Sequence, residues 1–231
     1  MKTVPLLSAL ALSSVAAFAD PNRPIGTIDV DNVYVRTGTK PLVSWEITYP
    51  PGVRDLVVPL PTGRVITTEE TRVKMRVAGV AFQSGSTHLP VEFSAKVGGG
   101  WQELFFGTGA EVRPSEYVFD QVVPAGTTLD FRGQAQRENG GFYDPRWTDG
   151  VDLGVTGLFD GDTPPYYAPA YEQGNIESFL SSYISEENTI QIGPRDMIYL
   201  FELASHDPSE WWFDMQDLVV VVTYEQTTTA P

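Results

Sequence analysis

The sequence predicts an all-β protein, mainly an antiparallel β-sandwich of jelly-roll-like form, with one short helix near residues 175–184. Apolar and polar residues alternate in several segments, which is typical of half-buried strands. Groups of Gly, Pro and Asn separate these segments at short intervals, and two later segments are apolar throughout. Short strands separated this regularly indicate a sandwich or a barrel.

The clearest alternation lies in residues 71–77. Val73, Met75 and Val77 share one face of an extended chain, and the residues between them are basic. Because the side chains of a strand point alternately to its two faces, this segment is predicted to be a half-buried strand. The same alternation occurs in residues 91–97 and 129–135. Further strands are predicted at 27–36, 42–49, 101–106, 117–123, 151–159, 197–203 and 218–225.

Two apolar runs lack alternation, residues 197–201 and residues 218–222. Both faces of such strands have to be covered, so we expect them in the centre of a sheet. The helix is predicted from an apolar stripe that recurs every three or four residues. Its members are Ile176, Phe179, Leu180, Tyr183 and Ile184.

The N-terminus has the pattern of a signal peptide. Lys2 precedes an apolar stretch at residues 4–12, and Ala17 and Ala19 form the small-x-small pattern at which signal peptidase cleaves. The stretch is too short for a transmembrane helix, which needs about 20 apolar residues. The protein is therefore expected to be secreted, to the periplasm or the extracellular space. The predicted division of the chain is a signal peptide at 1–19, a single sandwich domain at 20–225 and a flexible polar tail at 226–231.

The charge of the chain limits the classes of partner that it can bind. There are 15 Lys and Arg against 30 Asp and Glu, a net charge of −15, and no Cys. Such an acidic surface repels nucleic acids, and the lack of Cys excludes disulfides and thiolate chemistry. The expected partners are glycans or other surface proteins, and calcium is the one cofactor considered.

Motifs for catalysis are weak. The chain has no Gly-x-Ser-x-Gly elbow, and His88 and His206 are the two histidines that a Ser-His-Asp hydrolase could use as a proton carrier. Paired carboxylates can hydrolyse glycosidic bonds when they face each other across a cleft, and Glu46, Glu92 and Glu103 on predicted strands are the candidates. A non-enzymatic protein is the favoured interpretation.

The longest irregular stretch, residues 138–174, is rich in aromatic residues. Exposed aromatic rings can cover the faces of sugar rings, so we treat them as candidate ligand-binding residues. They are Tyr143 and Trp147 in this stretch, and Trp211 and Trp212 between the last two predicted strands. The alternative is that these rings cap the open end of the sandwich, since large aromatic residues are usually mostly buried.

The same stretch contains carboxylates beside glycines, a combination that also fits a calcium site. Calcium binds carboxylate and carbonyl oxygens, and the glycines allow tight curvature of the backbone. The candidate ligands are Asp149, Asp152, Asp160 and Asp162. The alternative is that Asp and Gly are present because turns favour both residues.

Three classes of function remain open from the sequence. The favoured hypothesis is a non-enzymatic β-sandwich protein of the cell surface or extracellular space, with a structural or adhesion role. The alternatives are a carbohydrate-binding module and a glycoside-hydrolase-like enzyme with paired carboxylates. Residues 192–203 and 214–218 form a distinctive pair of segments to which no activity can be attached. An uncovered edge strand would allow self-assembly.

Overall fold

The computed structural model describes residues 22–30, 43–150, 152–165, 179–210 and 212–227. The predicted signal peptide, the last four residues of the predicted tail and the first four residues of the predicted helix lie outside the described residues. Within the described part of the chain, no helix is long and apolar enough to cross a membrane.

Strands account for most of the regular structure. In chain order they are β1 (Ile25–Val30), β2 (Val43–Thr48), β3 (Val57–Pro59), β4 (Val65–Thr67), β5 (Thr71–Val80), β6 (Gln83–Ser84), β7 (Thr87–His88), β8 (Val91–Val97), β9 (Trp101–Gly107), β10 (Phe119–Val123), β11 (Thr128–Ala135), β12 (Arg146–Trp147), β13 (Val155–Phe159), β14 (Asp196–Phe201) and β15 (Leu218–Gln226). One α-helix, α1, lies at Val53–Leu56, and 3₁₀-helices lie at Gly109–Glu111 and Phe179–Tyr183.

Antiparallel pairing joins these strands into two large sheets and two separate hairpins. The five-stranded sheet has the order β10-β5-β15-β14-β13. The six-stranded sheet has the order β3-β4-β11-β8-β9, with β12 paired to β11. β1 pairs with β2, and β6 pairs with β7, as two-stranded sheets of their own. The protein is therefore an all-β sandwich, as the sequence predicts, and its chain passes between the two large sheets several times.

The interior between the two large sheets is formed by the side chains that the alternation predicts. Val73, Met75 and Val77 of β5 are buried in it. Phe131 of β11 contacts Tyr199 of β14 across the interior, with ring centroids 4.4 Å apart. The Tyr199 hydroxyl is buried as well, and it donates a hydrogen bond to the Gly63 carbonyl. The predicted half-buried strands are thereby confirmed.

The five-stranded sheet is covered on its other face too. Ile198 of β14 and Val221 of β15 point away from the main interior and belong to a second hydrophobic cluster. Leu180 of the second 3₁₀-helix and Phe213 of the loop between β14 and β15 complete this cluster. The expectation that the two apolar runs form central strands, covered on both faces, is confirmed.

The helical segments are short. The described part of the predicted helix near 175–184 is the 3₁₀-helix Phe179–Tyr183, whose Leu180 is fully buried. The α-helix lies earlier in the chain, at Val53–Leu56, where the Asp55 carboxylate accepts a hydrogen bond from the Gly52 backbone N–H. Four residues make a single turn, which is too short for the 3.6-residue period to be visible in the sequence.

The second cluster can be tested with Ile198→Ala. We expect this variant to lose about 2–5 kcal/mol of unfolding free energy in urea, because a large buried side chain is removed from a packed layer. Gln121→Ala on the exposed edge strand β10 is the control and should stay within about 0.5 kcal/mol of the parent protein. A loss below about 1 kcal/mol for Ile198→Ala would show that this layer is not packed.

Candidate functional site

The outward face of the six-stranded sheet combines aromatic and charged side chains. We call it the outer sheet face, and its members share one side of four neighbouring strands. They are Trp147 of β12, Arg132 and Gln134 of β11, Glu92, Ser94 and Lys96 of β8, and Trp101, Glu103 and Phe106 of β9. Directly paired residues of antiparallel strands point to the same side of a sheet, so the register alone places these residues together.

The sequence determines this face through its alternation. Phe93 of β8 and Phe131 of β11 point inward and are fully buried. Their neighbours along the chain, Glu92 and Arg132, therefore have to point outward. β12 adds one more strand, because Trp147 pairs with Arg132 in the register.

A polar network occupies the middle of the outer sheet face. A guanidinium nitrogen of Arg132 lies 2.6 Å from the Glu92 carboxylate, and the Ser94 hydroxyl donates to the same carboxylate at 2.7 Å. Arg132 also donates to the Ser94 hydroxyl at 3.2 Å. Its Nε is buried and has no hydrogen-bond partner among the described residues. One charged donor is thus left unsatisfied, at a cost of about 1–3 kcal/mol.

Aromatic rings flank this network. The Arg132 guanidinium carbon lies 5.2 Å from the centre of the Trp101 ring on one side, and Trp147 adjoins Arg132 on the other. Trp147 is 39% exposed. Phe106 and Phe142 form an exposed pair at the end of the face, with ring centroids 6.4 Å apart. From β12 to β9 the face spans three strand spacings, or about 14 Å.

The structure places the four predicted ligand-binding aromatics differently. Trp147 lies on the outer sheet face. Tyr143 packs against the main core and makes an edge contact with Phe82, and its backbone carbonyl accepts a hydrogen bond from Gln134. Trp212 is exposed in the loop between β14 and β15, strands of the other sheet, and Trp211 lies outside the described residues.

Trp101 and Phe106 are the members of this face that the sequence analysis missed as ligand candidates. Both lie on a correctly predicted strand, so a signal was present. The register places Trp101 opposite Lys96 and Phe106 opposite Glu92. Two large aromatic residues opposite charged residues indicate an exposed face, but the pairing of β8 with β9 has to be known first.

Arg146 anchors Trp147 from the opposite side of β12. It is 1% exposed, and its guanidinium donates to the backbone carbonyls of Glu202 at 3.0 Å and Ser205 at 2.5 Å. Gly154 makes room for it, because a Cβ at this position would lie 2.6 Å from Arg146 Nε. This packing fixes β12 against the loop between β14 and β15.

The two histidines do not form a Ser-His-Asp arrangement within the described residues. The His206 ring contacts the Arg146 guanidinium. The Ser205 hydroxyl donates to Glu210, and the Asp207 carboxylate accepts hydrogen bonds from the backbone and hydroxyl of Ser209. The histidine of a triad has to contact both the nucleophile and the carboxylate. Among the described residues, His206 makes neither contact.

Three acidic side chains converge beside this loop. Oxygens of Glu202, Asp214 and Asp217 lie within 4.8 Å of one another. They come from the two distinctive segments 192–203 and 214–218, which the fold brings together. Backbone N–H groups of Ala204 and Ser205 donate to Glu202, and Leu203 N–H donates to Asp217. The three carboxylates are close enough to share a cation, although an acidic group of this kind does not by itself identify one.

The pKa values of two carboxylates in this acidic group are raised. Burial raises the pKa of Asp217 well above its usual value, and the neighbouring Glu202 and Asp214 charges raise it further. Burial also raises the pKa of Glu202, against the effect of the backbone hydrogen bonds that it accepts. Both groups therefore hold a proton more tightly in the folded protein than in the unfolded chain.

The carboxylates predicted to bind calcium accept hydrogen bonds from backbone N–H groups or lie near arginine side chains. Asp152 accepts from Gly154 N–H at 2.9 Å, and Asp160 accepts from Ile192 N–H at 3.0 Å. Asp162 accepts from Phe159 N–H and pairs with Arg54 at 3.0 Å. Asp149 lies close enough to Arg64 to raise the pKa of that guanidinium, after the larger effect of Asp130. Calcium binding by these residues stays a prediction.

The acidic group predicts an unusual dependence of stability on pH. Because the folded pKa of Asp217 is raised, its contribution to stability is complete below the unfolded pKa and is lost as pH rises through the folded pKa. Asp217→Asn cannot ionise and keeps an acceptor for Leu203 N–H. In chelator-treated protein, its urea unfolding free energy should decline less than that of the parent protein between about pH 4 and pH 9.

Asp207→Asn is the matched control for this measurement. Hydrogen bonds from Ser209 lower the pKa of Asp207, so its contribution has the opposite sign and is lost as pH falls through the folded pKa. Parallel pH curves for the parent protein and Asp217→Asn would contradict the assignment.

Comparison with known proteins assigns the chain neither a family nor an activity. No protein-family model, no curated protein and no solved structure matches it.

Proposed function

We propose that this protein is a non-catalytic adhesion protein of the cell surface or extracellular space, which binds neutral polysaccharide through its outer sheet face. One observation carries the proposal: Trp147 and Trp101 lie on the same face of one sheet, on either side of Arg132. The proposal unites the structural or adhesion role with the carbohydrate-binding alternative.

The chemistry of a sugar chain fits this arrangement. A pyranose ring has an apolar face, which packs on an aromatic ring, and an equatorial belt of hydroxyls, which needs donors and acceptors. Trp147 and Trp101 supply the rings, and the ion pair of Arg132 with Glu92 supplies polar groups between them.

The charge of the protein favours a neutral polymer. With a net charge of −15, the chain repels polyanions at long range. Arg132, the central cation of this face, is already paired with Glu92. Rigid paired charges serve as hydrogen-bonding groups for hydroxyls and do not require a charged ligand.

A glycoside hydrolase is the second candidate, because Glu92 and Glu103 both point to this face. The Glu92 carboxylate is already engaged by Arg132 and Ser94, which leaves Glu103 as the open carboxylate of the two. A hydrolase needs both carboxylates at the scissile bond, so binding without cleavage is the better-supported function.

Native gel electrophoresis in soluble neutral polysaccharides tests the proposal. We expect a β-glucan or a related neutral polymer to retard the parent protein, and Trp147→Ala and Trp101→Ala each to weaken binding by about tenfold or more, as loss of a central aromatic contact does. Tyr117→Ala is the control, since Tyr117 is an exposed aromatic residue that lies beside Lys74 of the other sheet.

The outcomes separate the alternatives. If no neutral polymer retards the parent protein, or if Trp147→Ala binds as the parent does, the proposal is wrong. Release of reducing sugar that Glu103→Gln abolishes would establish the hydrolase instead. Loss of binding in Trp212→Ala but not in Trp147→Ala would move the ligand site to the loop between β14 and β15.

A further inference from the structure

A cleft lies at one end of the five-stranded sheet, where β5 and β14 begin and where β10 and β15 end. We call it the cationic cleft, after the side chains described below. The segment just before β1 also lines it. Its volume is about 730 Å³, which is in the range of about 300–1,000 Å³ that is usual for sites of small ligands.

Positive charge is concentrated in the cationic cleft. The side chains of Arg23, Arg72, Lys74 and Arg195 line it, together with one carboxylate among the described residues, that of Glu225. In the whole chain the excess is reversed, with 15 Lys and Arg against 30 Asp and Glu. The composition of the protein therefore does not account for a cleft with four cations and one carboxylate.

The strand β5 supplies two of these cations. Val73 points into the main interior, so its neighbours Arg72 and Lys74 point to the other face of the sheet. Arg72 donates to the Asp120 carboxylate at 2.7 and 2.8 Å, and Lys74 lies 2.8 Å from the Glu225 carboxylate. A guanidinium has five N–H groups, and Asp120 accepts from two of them. With Asp120 included, the cations still outnumber the carboxylates by four to two.

Hydrogen bonds between distant parts of the chain hold the other side of the cleft in place. The Gln226 backbone N–H donates to the Asn22 side-chain oxygen at 3.2 Å, and Arg195 donates to the Asn22 backbone carbonyl at 2.8 Å. These bonds fix the segment that carries Arg23 against the end of β15 and the start of β14. The Arg195 guanidinium is thereby positioned through one of its five N–H groups. A site that is held in place before binding loses less conformational freedom when a ligand enters.

We propose that the cationic cleft binds a small anion, through a phosphate or carboxylate group of a low-molecular-weight ligand. Guanidinium groups suit this chemistry, because their planar N–H groups match the oxygens of phosphate and carboxylate in pairs. Arg72 and Arg195 reach the cleft from different strands of the sheet, so their donors can contact one anion from two sides. This site is separate from the outer sheet face, which belongs to the other large sheet.

The charge of the rest of the protein limits the size of the anion. A polyanion would extend beyond the cleft and would be repelled by a chain of net charge −15. A small anion stays inside the cleft, and at physiological ionic strength exposed charges more than about 8 Å away are largely screened. The cationic cleft therefore favours a single phosphate or carboxylate group over a nucleic acid or a polyanionic glycan.

NMR titration of the full-length protein with sodium phosphate, sodium glucuronate and glucose tests the proposal. We expect phosphate or glucuronate to shift the backbone amide signals of Arg72 and Gln226 in a saturable way, and glucose to leave them unchanged. Arg72→Gln and Arg195→Gln should each raise the dissociation constant by about tenfold or more, because a charge-assisted hydrogen bond is lost. Arg113→Gln is the matched control, since this exposed arginine donates to backbone carbonyls and does not line the cleft.

The tighter of the two anions identifies the group that the cleft recognises, and binding of either supports the proposal. Signals of the variants outside the cleft should match those of the parent protein, which shows that each variant is folded. The proposal is wrong if neither anion shifts the two amides, if Arg72→Gln and Arg195→Gln both bind as the parent does, or if Arg113→Gln weakens binding equally. Tighter binding of dextran sulfate than of either small anion would overturn the assignment to a small ligand.

Discussion

The contact between Phe131 and Tyr199 holds the two large sheets against each other. It joins one large sheet to the other through the middle of the sandwich, with 4.4 Å between ring centroids. Because neighbours along a strand point in opposite directions, Arg132 has to point outward when Phe131 points inward. A shift of β11 by one residue would bury the Arg132 charge and expose the ring. The geometry of the outer sheet face is thus a consequence of core packing.

A second constraint operates at the loop between β14 and β15. Arg146 holds this loop through two backbone carbonyls, and Glu202 holds it through the N–H groups of Ala204 and Ser205. Buried charged groups are costly unless they are hydrogen-bonded, so the loop has little freedom to rearrange. Burial raises the pKa of Asp217 in this arrangement, and the nearby Glu202 and Asp214 carboxylates raise it further. The loop thereby keeps β12, and with it Trp147, in place.

The hydrophobic pattern of the sequence predicts the strands that are buried on one face or on both faces. Alternation identified β5, β8 and β11 together with their inward faces, and unbroken apolar runs identified β14 and β15 as central strands. The pattern misses the short elements β3, β4, β6, β7, β12 and α1, since two to four residues are too few to show a period. The strands β1 and β2 are predicted from the sequence, but alternation cannot tell whether another layer covers the apolar face of their hairpin.

The candidate site was less predictable for a different reason. The sequence indicates Trp147 as a ligand candidate because its ring lies in a polar loop, whereas it indicates Trp101 and Phe106 only as strand residues. Their common face depends on pairing between β8, β9, β11 and β12, which is long-range information. The same holds for Glu202 and Asp217, which meet because β14 and β15 are neighbours in the sheet. Composition alone indicates Asp152 and Asp162 as metal ligands. In the structure, their carboxylates accept hydrogen bonds from backbone N–H groups of turns.

The central position of β15 has a consequence for how the chain reaches its folded state. This strand lies between β5 and β14, and its register joins Gln226 to Thr71, residues far apart in sequence. Until β15 has been synthesised, β5 lacks the partner on one of its edges and the sheet cannot close. Contacts of such long range make folding slow, on the order of milliseconds to seconds. A nascent chain of this protein therefore stays incompletely folded until residues 218–226 are available.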